Sequence, residues 1–115
     1  MRNQEAIRER YLRDALPVRL GGLAANLARI ASFLTLPDNR ELVAGLLEES
    51  TFFIEWTAPD ADLETQATLV ELQIQLALAH YRWLEHPPTP EEQAKLAEQA
   101  CAWSETSLAL SGLLR

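Results

Sequence analysis

The sequence predicts an all-α fold, an up-down four-helix bundle with a short extra N-terminal helix. Three observations predict it. The 48% hydrophobic content is dominated by Ala and Leu, which lose little side-chain entropy on entering a helix. Apolar residues recur every three or four positions in four long segments. Proline-containing turns separate those segments. With 115 residues the chain makes one domain, 1–115. Its helices are expected at about 3–16, 18–35, 39–56, 60–85 and 90–112.

The first helix, 3–16, carries Glu5–Arg8, Glu9–Arg13 and Arg10–Asp14 at intrahelical pairing distance. It is expected to end near Leu16, because the residue before Pro17 is pushed out of helical space. Segment 18–35 places Leu20, Leu23, Leu27, Ile30 and Leu34 on one stripe, with Arg19, Gly22, Asn26 and Arg29 opposite. Gly21 and Gly22 lie among Ala24, Ala25 and Ala28 and read as a close helix–helix contact. They match none of the phosphate-cradling loops, which need a preceding strand and further glycines.

Asp38 is expected to cap segment 39–56, with Glu41 closing a capping box. That segment points Leu42, Val43, Leu46, Leu47, Phe53 and Ile54 inward. A cap at Thr57 with Asp60 in the first turn, or a start at Asp60 itself, is expected for the next helix. There Leu63, Ala67, Val70, Ile74, Leu78, Tyr81 and Leu84 form the expected inward stripe. A second apolar edge runs through Leu69, Leu72, Leu76 and Trp83. With nearby Trp56, it is the expected partner interface. Thr89, Pro90 and Glu92 give the sharpest start signal in the chain, a capping box with proline in the first turn. The last helix then repeats Leu96, Ala100, Trp103, Ser107, Leu110 and Leu114.

Charge is unevenly divided. Residues 1–40 hold seven Arg against four acids, and residues 41–115 hold three basic groups against thirteen acids, giving the net −7. From Glu41 to Tyr81 there are eight carboxylates and no Lys or Arg. The basic part is expected to pack against the acidic part, with Arg29 and Arg40 within reach of Glu41, Glu48 or Glu49. An acidic total disfavours nucleic acid as a partner, since such binding relies on Lys and Arg at phosphates. No apolar run reaches the roughly 20 residues of a membrane helix. The MRNQEAIRER start lacks the apolar core of a secretory signal, so no membrane contact and a cytoplasmic location are expected.

Chemistry-bearing motifs are sparse. Neither histidine follows a Glu by three positions, as the di-metal bundle pattern requires, so no metal or other cofactor is expected. The lone Cys101 excludes an internal disulfide and reads as a buried small hydrophobe. No Ser or Cys is spaced with a histidine as a nucleophile–base pair. The expected function is therefore a non-catalytic protein–protein interaction or regulatory module, as a homodimer or with another protein. The alternative is a small ligand-binding or enzymatic bundle using His80, Arg82, His86 or Glu55. An enclosed pocket lined by two or more of those four would favour the alternative.

Overall fold

The structure, a computed structural model, describes residues 4–113. Among them are five α-helices and no strand: α1 (Gln4–Leu12), α2 (Leu16–Phe33), α3 (Arg40–Thr57), α4 (Leu63–Glu85) and α5 (Pro90–Ser111). A single 3-10 turn, Ala58–Asp60, follows α3. The fold is all-α.

Cross-helix bonds give the direction of each neighbour. Asn26 donates to Glu49 and Arg19 to the Trp56 carbonyl, so α2 and α3 run antiparallel. Gln73 donates to the Thr51 carbonyl and Trp83 to that of Arg40, so α3 and α4 do the same. Ser104 donates to the Ala24 carbonyl, and Gly21 lies against Leu113, which sets α5 antiparallel to α2. The long helices thus run up and down in the order α5–α2–α3–α4, and α4 touches α5 at few places. That fourth side stays partly open.

Local signals explain most boundaries. The Thr89 hydroxyl accepts from the Glu92 amide at 3.1 Å, and the Glu92 carboxylate accepts from the Thr89 amide at 2.8 Å. That is the expected capping box, and the same bond holds the Glu92 carboxyl below its usual pKa. Gly112, at φ 73°, ends α5 in the left-handed conformation that a side chain would disfavour.

Four expected boundaries move. First, α1 ends at Leu12, four residues before the expected 16, and Pro17 sits in the first turn of α2, where a missing N–H costs nothing. Second, Asp38 does not cap α3. It takes φ 53°, and Asn39 occupies the cap position without a capping bond. Asn39 instead ties the Phe33 carbonyl to Gln93 of α5. Third, Thr57 is buried as the last residue of α3 and precedes the 3-10 turn without a side-chain capping bond, so it does not start the next helix. Fourth, α4 starts at 63 rather than 60, because Asp62 is its cap and accepts from the Thr65 amide at 2.7 Å. That bond also lowers the Asp62 carboxyl pKa.

The α2 stripe is buried as expected, Leu20, Leu23, Leu27, Ile30 and Leu34 alike. In α3, Val43, Leu47 and Ile54 are buried, but Leu42 is exposed. In α5, Ala100, Trp103 and Ser107 are buried, and Leu114 lies outside the described residues. Gly21 lies beside Leu113, just past α5: an added Cβ would meet the end of that half-exposed side chain at 2.9 Å, a contact the leucine can relieve by moving.

Two residues expected on the outer side of α2 are buried instead. Arg19 reaches the Asp14 carbonyl at 3.1 Å and the Asp60 carboxylate at 2.9 Å. Asn26 accepts from Arg29 at 2.7 Å and donates to Glu49 at 3.0 Å. Arg19–Asp60 is thus an ion pair that joins the basic part to the acidic part. Arg29 is linked to Glu49 through Asn26, and Arg40 lies over the Trp83 ring. Tyr11 fixes α1 in place. It stacks on Phe53 at 4.2 Å, donates to the Arg19 carbonyl and shares a hydrogen bond with Thr57.

Candidate functional site

The two apolar edges of α4 are exchanged relative to the sequence expectation. Leu69, Leu72, Leu76 and Trp83, the expected partner interface, are 0–4% exposed and form part of the bundle core. The Trp83 indole donates to the Arg40 carbonyl at 2.9 Å, and the Arg40 guanidinium sits 5.7 Å from its ring centre. Trp56, the fifth expected interface residue, is half-buried in a cluster with Tyr11, Phe52 and Phe53. These side chains are occupied within the chain.

The opposite edge faces solvent. Leu63, Val70, Ile74, Leu78, Tyr81 and Leu84 are each 49–82% exposed. Positions 63, 67, 70, 74, 77, 81 and 84 alternate steps of four and three. That is the spacing of a coiled-coil seam, with Leu63, Val70, Ala77 and Leu84 at one core position and Ala67, Ile74 and Tyr81 at the other. The seam runs along a helix about 34 Å long. The buried edge through Leu69, Leu72, Leu76 and Trp83 keeps the same spacing, so the repeat alone does not tell the open face from the core face.

A shallow groove of about 560 Å³ runs beside the seam, lined by Thr51, Gln73, Ile74, Ala77, His80, Tyr81 and Leu84. Its α3 bank carries Glu48 and Glu55, one helical turn on either side of Thr51 and both exposed. On the far side of the seam stand Glu64, Glu71 and Glu85, also exposed. The apolar strip therefore lies between two rows of carboxylates.

The four residues of the ligand-binding alternative separate. Arg82 and His86 meet at a cleft of about 350 Å³ on the open α4–α5 side, with Trp83, Lys95, Leu96 and Gln99. Arg82, His86 and Lys95 stand exposed on its rim, and the cleft is not enclosed. His80 lies in the α3–α4 groove instead. Glu55 is on the α3 bank. Among the described residues no group of three His, Cys, Asp or Glu is placed to hold a metal ion. Cys101 is exposed, contrary to the buried position expected for it, because the α5 stripe passes through Ala100 and Trp103 on either side. No described helix is long and apolar enough to cross a membrane.

The chain matches no family model, no curated protein and no solved structure.

Proposed function

We propose that this protein is a non-catalytic interaction module that receives a helical protein segment on the outer face of α4. The exposed seam of Leu63, Val70, Ile74, Tyr81 and Leu84 carries this reading. Soluble monomers rarely leave more than a few hundred Å² of contiguous apolar surface in water. Six large apolar side chains on one helix face approach that limit. A second copy of the chain or a different protein could cover them. The exposed Cys101 thiol suits a reducing compartment such as the cytoplasm. Ile74→Asp should abolish association through this face while leaving thermal stability within about 0.5 kcal/mol, the range of ordinary surface changes. Sedimentation of wild type and variant, alone and with candidate partners, checks it. Unaltered association in the variant would refute the reading.

A second reading has its own support. Arg82, His86 and Lys95 converge on the α4–α5 cleft against the single carboxylate of Glu92, and its apolar floor includes Trp83 and Leu96. Such a site suits a small anionic ligand with an apolar portion. Titration with an aromatic phosphate should then shift the amide resonances of residues 82–99 and leave those of residues 63–74 in place. Uniform or absent shifts at millimolar ligand would dismiss it.

A further inference from the structure

We infer that the occupant of the α4 face is an amphipathic helix from a different protein, with an apolar seam flanked on both sides by Lys or Arg. The inference rests on the docking reading above and adds the chemistry of the partner.

Charge selects among occupants. The seam is bounded by Glu48 and Glu55 on the α3 side and by Glu64, Glu71 and Glu85 on the other. No Lys or Arg occurs from Glu41 to Tyr81. Arg82 lines the α4–α5 cleft rather than the groove. The remaining side chains beside the seam are Leu78, Gln66, Gln73 and His80, and both glutamines already donate within the chain, to the Ala61 and Thr51 carbonyls. A helix lying in this groove therefore meets carboxylates along both flanks.

A second copy fits this pattern poorly in either orientation. Antiparallel seams centred on Ile74 put Glu64 of one copy beside the same row's Glu85 in the other, and the two α3 banks together. Parallel seams put the α3 bank of one copy against the Glu64–Glu71 row of the other. Like charges meet each time, which disfavours the assembly. A helix with basic flanks meets opposite charge on both sides. Its exposed ion pairs would contribute more to association rate and partner choice than to affinity, while the seam supplies the apolar contact.

The test is a displayed library of amphipathic helices about four heptads long. Leu and Ile are fixed at the seam, and the flanking positions vary among Lys, Glu and Gln. Selection uses the full chain at about 0.05 M salt, where surface charge is weakly screened. Lys is expected to dominate the flanks of selected helices. Their affinity should fall about tenfold at roughly 0.5 M salt. A Glu48→Lys, Glu71→Lys double variant should exchange the preference toward Glu flanks. Helices that bind with no flank preference would overturn the charge inference and leave the docking reading standing. Binding by no helix, with a 12.9 kDa monomer in sedimentation, would overturn both. A homodimer whose formation excludes Lys-flanked helices would make the second copy the occupant and overturn the inference.

Discussion

Trp83→Ala should destabilise the bundle by about 3–5 kcal/mol, the usual cost of emptying a buried aromatic site. The side chain is 3% exposed and packs in the cluster that includes Leu72, Leu76 and Ala100. Its loss also leaves the Arg40 carbonyl without the indole donor and removes the ring beneath the guanidinium. Arg40 Nη1 is already buried without a hydrogen-bond partner, and the ring face is one of the contacts that support that charge. Trp83→Phe keeps most of the volume and should cost less, chiefly the one hydrogen bond. Urea denaturation of the three proteins gives the comparison. A loss below about 1 kcal/mol for the alanine variant would put Trp83 back on the surface.

Alkaline pH should weaken the fold through Tyr11. Burial pushes its phenol up from 10.0 to about 12, against a smaller opposing effect of the Thr57 hydrogen bond. The folded state therefore favours the neutral phenol. That stabilisation is complete below pH 10.0 and is lost as pH rises from there through about 12. A shift of this size corresponds to about 2–3 kcal/mol at the upper end. Tyr11→Phe removes the titration. At pH 8 the variant should be less stable by about 1–2 kcal/mol, because the Arg19 carbonyl and Thr57 hydroxyl lose their partner. By pH 11.5 the difference should close or reverse. Denaturant midpoints across this range check it, and a difference constant with pH would show that Tyr11 ionises as freely folded as unfolded.

These predictions fall where the sequence was least transparent. The α2 stripe and the Thr89–Glu92 cap were legible because each depends on residues within one or two turns. Four of the five interface residues were misplaced because α4 is apolar on two edges. Periodicity detects both edges and does not say which one meets α3. The decision lies in cross-helix partners: the Arg40 carbonyl for Trp83, and Gln75, which accepts from Trp103 at 2.6 Å. Arg19 was hidden for the same reason. Its polar side chain looked outward on a helical wheel, yet Asp60 and the Trp56 carbonyl, about 40 residues away, complete a buried site for it. Cys101 differs only by one helical step from the buried Ala100, a distinction finer than a stripe resolves.

The helix order α5–α2–α3–α4 also distributes the entropy of folding unevenly. The Asn26–Glu49 and Thr51–Gln73 bonds close segments of 23 and 22 residues. The Ser104–Ala24 bond closes one of 80. Loop closure on that scale costs about 1 kcal/mol more than on the hairpin scale. Among the described helices, α2 and α5 share the most extensive contact and are also the pair whose ends are hardest to bring together. The buried Ala24 and Ala100, and the Ser104 hydroxyl bonded to the Ala24 carbonyl, let these two helices pack closely. Enlarging Ala24 or Ala100, both buried, would force these helices apart.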